Sequence, residues 1–94
     1  MAEDWPFEDG PNVAVIVTRD VMHGGAWIAF VSHDEEDGGW QFHGEEESDV
    51  DAAMVVALGR IVELDPGIAQ LSDLPVGWQA WRTGPKAKWQ RAPL

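Results

Sequence analysis

The stretch that most constrains the fold is Asp37 to Glu47, which reads Asp-Gly-Gly-Trp-Gln-Phe-His-Gly-Glu-Glu-Glu. Gly38 and Gly39 can adopt the positive φ of a tight hairpin turn, which residues with a Cβ resist. Trp40 and Phe42 lie two apart, so they share one face of an extended strand, with Gln41 and His43 on the other. Gly44 ends that strand, and Glu45, Glu46 and Glu47 lead into solvent. A turn, a half-apolar strand and an acidic exit predict a hairpin in which His33 to Gly39 is the loop.

The rest of the chain is read around this hairpin. Residues 1–11 hold Trp5-Pro6-Phe7 and close on Gly10-Pro11, an extended arm whose two aromatic rings either dock on the domain or fray with the terminus. Asn12 to Thr18 and Ala26 to Ser32 are β-branched runs, apolar on both faces, as in strands covered on both sides. Gly24-Gly25 marks the connection between them. Three antiparallel strands are therefore expected before any helix. Ser48 and Asp49 are good N-cap residues, and Val50, Ala53, Met54, Ala57, Leu58, Ile61 and Val62 follow with helical spacing. This predicts an amphipathic helix over about 49–64, ended by Pro66, with Ile68 and Leu71 buried beneath the turn that follows. Trp78 to Arg82 reads as a fourth strand and Lys86 to Arg91 as a short edge strand anchored by Trp89.

The expected fold is therefore α+β. A mainly antiparallel sheet of four or five strands would carry the 49–64 helix on one face, with the other face covered by the C-terminal segment, the N-terminal arm or a second molecule. At 94 residues the chain is one domain, an arm over 1–11 and a core over 12–91. With no cysteine there is no disulfide and no thiolate ligand, which fits a reducing cytoplasm. The acidic N-terminus is not expected to be a secretory signal, and no apolar run approaches a membrane span.

Charge excludes more than it identifies. The 17 acidic residues outnumber the 6 Lys and Arg for a formal charge of −11, which argues against nucleic acid or an anionic membrane as partner. No Lys or Arg occurs between Arg19 and Arg60, while ten Asp and Glu do. Four of the six bases, Arg82, Lys86, Lys88 and Arg91, fall in the last thirteen residues. An acidic middle of this kind is either a solvated surface that keeps a small protein soluble or a face that attracts a basic protein.

Several elements taken as a set carry a resemblance. They are Val15-Ile16-Val17-Thr18-Arg19, Asp37-Gly38-Gly39-Trp40-Gln41-Phe42 with Gly44-Glu45, Leu64-Asp65-Pro66-Gly67-Ile68, and Leu74-Pro75-Val76-Gly77 with Arg82. Over about 12–82 the chain resembles domain of unknown function 2185, a family of small bacterial domains grouped with immunity proteins of toxin systems. The charged spacer usual after the family's acidic motif is short here. The resemblance implies a broad role in protein binding and brings no catalytic residue.

The candidate site residues follow from the acidic middle. Asp34, Glu35, Glu36, Asp37, Glu45, Glu46 and Glu47 are expected to rim a partner-binding face, with Trp40 supplying apolar contact. The alternative is a small-ligand or metal-binding domain built on the 33–47 hairpin, with His33 and His43 as weak metal ligands and Asp37 or Glu45 as a third. Neither His-x-x-x-His nor a complete calcium loop is present, since Gly38 stands where the fifth loop position needs an oxygen. Ser32-His33-Asp34 are sequence neighbours, which on a strand point apart, so no catalytic triad is implied and no enzyme is expected. No cofactor is implied, and the chain is expected to be a monomer or homodimer. The six tryptophans read mainly as core, with an exposed aromatic patch as the alternative for Trp5, Trp78, Trp81 and Trp89.

Overall fold

A computed structural model describes residues 5–23, 25–44 and 53–94. The strands are β1 (Ala14–Thr18), β2 (Phe30–His33), β3 (Trp40–His43), β4 (Ala53–Ala57), β5 (Trp78–Trp81) and β6 (Gln90–Pro93). Among the described residues two α-helices, α1 (Arg19–His23) and α2 (Leu58–Leu64), and a 3-10 helix (Pro66–Leu71) accompany the strands. The sheet has six strands in the order β4-β1-β3-β2-β5-β6.

This corrects the expected fold in three ways. The sheet has six strands rather than four or five, and it is mixed, because β1 runs parallel to β3. Helix α1 turns the chain between β1 and β2, so three strands do not precede the first helix, and β3 inserts between the strands that flank this turn. Lastly, the expected helix does not run through the described part of its span. Ala53–Ala57 is a strand, antiparallel to β1 from Ala14↔Ala57 to Thr18↔Ala53, and only Leu58–Leu64 is α-helical. The predicted caps Ser48 and Asp49, with Val50, lie outside the described residues.

The helix reading fails for a physical reason. Met54, Ala57, Leu58 and Ile61 have helical spacing, but Met54, Val56 and Leu58 alternate as a strand would. Val55 and Val56 are β-branched, and β1 offers a free edge, so tertiary pairing decides. Helix α2 accordingly begins on Ala57, which gives no side-chain cap. Its first amides are satisfied instead by the chain before β1: Leu58 N–H donates to Val13 O at 2.8 Å and Gly59 N–H to Pro11 O at 2.9 Å. A Cβ on Gly59 would lie 3.2 Å from the Pro11 carbonyl oxygen, so a side chain here would press the Pro11 segment outward by a few tenths of an ångström.

At its other end α2 stops at Leu64. Asp65 then accepts from Gly67 N–H at 3.0 Å and Pro66 opens the 3-10 helix, which buries Ile68 and Leu71 completely. Burial of each such side chain contributes roughly 1.5–3 kcal/mol.

Register sorts the strand residues into two faces. Val17 pairs with Phe42 and Met54, Val31 with Phe42 and Ala80, and His33 with Trp40 and Trp78. Every buried apolar strand residue (Val15, Val17, Val31, Trp40, Phe42 and Ala80) is on this one face, where it packs with Leu58, Ile61, Ile68, Leu71 and Leu74. Phe7 from the arm joins them, 5% exposed and edge-on to Trp40 at 5.3 Å. The helices and the arm thus share one side of the sheet. The expectation that the central strands are covered on both faces is corrected by Ile16, which is 37% exposed on the opposite side.

Two further strands begin later than the sequence suggests. β2 starts at Phe30 rather than Ala26 because the chain bends to bury Ile28, whose carbonyl accepts from Arg82 Nε at 2.8 Å. β6 is Gln90–Pro93 rather than Lys86 to Arg91.

Candidate protein-binding face

The face away from the helices is built from the other half of each strand. One row crosses all six strands as Val55, Ile16, Gln41, Ser32, Gln79 and Ala92. In the next row His43 pairs with Phe30, Phe30 with Trp81 and Trp81 with Gln90. Val55 is 71% exposed and Ile16 and Trp81 are each 37% exposed, while Phe30, Gln41, His43 and Gln79 are half-buried by one another. None of Ile16, Phe30, Val55 and Trp81 belongs to the core. Of the six tryptophans, Trp81 alone is exposed; Trp40 is buried and the other four are half-buried.

A polar chain fixes the middle of this face. Gln41 Nε2 donates to Asp34 Oδ2 at 2.9 Å, so its Oε1 is the atom facing His43 Nε2 at 3.3 Å. That ring nitrogen is therefore the donor. Burial holds the His43 imidazole below its usual range, which the Asp20 carboxylate partly opposes. The Phe30 ring lies 5.7 Å from the His43 ring and tilted to it, continuing the aromatic row toward Trp81.

The predicted acidic residues divide between described and undescribed parts of the chain. Asp34, Glu35, Glu36 and Asp37 form the tip of the β2–β3 hairpin, closed by Asp34 N–H to Gly39 O at 2.7 Å and Gly38 N–H to Asp34 O at 3.0 Å. Gly38 has φ +71°, as the turn demands. Glu35, Glu36 and Asp37 are exposed, and Asp34 reaches the open face through Gln41. At the far end of β3, Asp20 lies against the Gly44 backbone, where a Cβ would come within 2.5 Å of its carboxylate. Glu45, Glu46 and Glu47 lie outside the described residues.

Trp40 does not contribute to this surface. It is 3% exposed, on the core face, with its Nε1 donating to Asp9 Oδ2 at 3.0 Å. His33 stacks on it at 3.9 Å, and His33 Nδ1 is 2.8 Å from the Leu74 carbonyl. His33 and His43 thus lie on opposite faces and at opposite ends of the hairpin, and they do not converge on one ligand. Among the described residues no group of three His, Asp or Glu side chains could hold a metal ion.

Ile16, Phe30 and Val55 are absent from the candidates read from the sequence, and Trp81 enters them only through the alternative of an exposed aromatic patch. Their signal was present in part: a strand apolar on both faces has a second apolar face to place, and only one helix was foreseen to cover them.

Among the described residues, no helix is long and apolar enough to cross a membrane. Comparison with protein-family models, with curated proteins and with solved structures gives no match.

Proposed function

We propose that this chain is a non-enzymatic binding module of the cytoplasm, whose open sheet face takes a basic protein partner. The observation that carries the reading is the composition of that face. Val55 with Ile16, and Phe30 with Trp81, offer two apolar pairs that flank the polar Gln41–His43 middle, and carboxylates stand at both ends of β3. Buried apolar and aromatic anchors supply most of the affinity in such contacts, and rim charges speed encounter and select the partner. An acidic inhibitor of a basic, nucleic-acid-acting toxin would have this form, and the resemblance to toxin-immunity domains points the same way.

The test begins with capture of partners from the source cell and measurement of the purified pair by calorimetry. The expected partner is basic, is lost when Ile16→Glu and Trp81→Glu are combined, and associates more slowly as salt rises. A partner that binds the double variant as tightly as the unmodified chain would place recognition elsewhere and overturn the reading.

A further inference from the structure

The two edges of the sheet are not alike. On β6 the edge is Gln-Arg-Ala-Pro, where Pro93 has no N–H to offer and Arg91 adds charge. Natural sheets protect their edges with such residues. On β4 the edge is Ala-Met-Val-Val-Ala, with no charge, no Pro and no Gly over Ala53–Ala57. Among the described residues only β1 pairs with β4. Among the described residues its outer row of peptide groups has no strand partner, and it presents a template that an added strand completes.

We propose that β4 pairs antiparallel with β4 of a second copy of this chain, about a two-fold axis at Val55. The strand is nearly palindromic in size. Around the axis Ala53 meets Ala57, Met54 meets Val56, and Val55 meets itself. No like charges face one another within the strand. Of the exposed large hydrophobic residues among those described Val55 is the most exposed, at 71%, and it stands in the same row as Ile16. The pairing brings the two Val55 side chains into contact on the open face. On the core face, each half-buried Met54 gains the partner's Val56 as a neighbour. The result is one continuous twelve-stranded sheet, an isologous dimer of the commonest symmetry.

Opposing this contact is the formal charge of −11 on each chain. Two five-residue strands also bury well under the roughly 1,200 Å² of a standard interface. The dimer is accordingly weak, with a Kd of micromolar order or above, and it tightens as salt screens the repulsion. That salt response is opposite in sign to the one expected for a basic partner, and it is measured on the chain alone. The two readings therefore fail separately.

Sedimentation equilibrium of the full chain tests the proposal at low and high salt, with Val55→Lys and Val55→Glu beside the unmodified protein. Because Val55 is exposed, both variants keep the fold, which circular dichroism checks. The expected result is a monomer–dimer equilibrium strengthened by salt. Each single variant should weaken it at least about tenfold, because like charges then meet at the axis. An equimolar mixture of the two variants should recover dimerisation as a heterodimer. Hydrogen exchange at Met54–Val56 should slow as concentration rises. A chain that stays monomeric at all concentrations overturns the proposal, as does dimerisation unchanged by either substitution.

Discussion

Arg82 is the residue whose replacement most directly tests how the core face is closed. It is 6% exposed and anchored in four directions. Nε donates to Ile28 O at 2.8 Å, Nη2 pairs with the Asp65 carboxylate, and the guanidinium lies 4.3 Å from the Trp89 ring centroid and 5.9 Å from that of Trp27. Asp65 in turn caps the 3-10 helix through Gly67 N–H. One side chain thus ties β5 to the bend before β2, to the α2 end and to the segment before β6. Arg82→Met strands the Ile28 carbonyl and leaves Asp65 without its cation. Removing one partner of a fully buried pair costs about 3–5 kcal/mol. Here the Asp65 carboxylate is 21% exposed and water can reach it, so the loss falls near or below the low end, about 3 kcal/mol, against about 5–15 kcal/mol for the stability of a whole domain. For a chain of this size each kcal/mol lowers Tm by about 4–8 °C. Arg82→Lys keeps the charge but not the planar fork, so its ammonium cannot serve Asp65 and Ile28 and stack on Trp89 at once. It should therefore lose most of the same stability. Urea unfolding followed by tryptophan fluorescence measures both variants, and the loss should persist in high salt because the Arg82 side chain is buried. If Arg82→Lys lies within about 1 kcal/mol of the unmodified chain, charge alone matters and the geometric account is wrong.

Other outcomes follow from single contacts. His43 holds its proton less readily in the folded chain than its ordinary value of 6.5. The unfolded chain then binds more protons, and stability should fall as pH drops below that value; His43→Gln should flatten this part of the profile of Tm against pH. Phe7→Ala should cost about 3 kcal/mol in urea unfolding by removing the arm's buried ring from Trp40. Gly59→Ala should destabilise by about 1 kcal/mol, the reverse of its helix propensity, because Pro11 occupies the space of the new methyl and is fixed by its own hydrogen bond. A thermal melt that rises in Gly59→Ala would show that the segment at Pro11 can move aside.

The parts of the fold legible in the sequence are those set by local chemistry. Gly38 requires its positive φ, the alternation of Trp40 to His43 sets the faces of β3, and Asp65-Pro66-Gly67 ends one helix and begins another. What was not legible depends on distant partners. Residues 53–58 satisfy a period of two and a period of 3.6 together, and only the open edge of β1 decides between them. The parallel pairing of β1 with β3 is likewise non-local and leaves no mark on either strand. The candidate site divides in the same way. The acidic hairpin tip could be read directly. The inward turn of Trp40 and the outward turn of Trp81 depend on which face the helices and the arm occupy, and strand alternation alone does not specify that.

The charge of the chain and the bareness of β4 bear on each other. A strand edge without Lys, Pro or a bulge invites pairing, and most natural edges carry their protection within the strand. Here protection comes from the whole molecule. Two chains of charge −11 repel over the Debye length, about 8 Å at physiological salt, so they meet edge to edge only against a long-range barrier. A basic partner on the open face would cancel part of that charge and lower the barrier next to the strand it shields. Where the partner leaves Val55 free, occupation of the face and pairing of the edge are then coupled positively. Neutralising the acidic surface should favour the dimer, and dimerisation should double the local density of carboxylates available to a basic partner. By linkage the two effects must be equal in free energy. Val55 belongs to both surfaces, so a partner that covers Val55 itself would instead compete with the dimer.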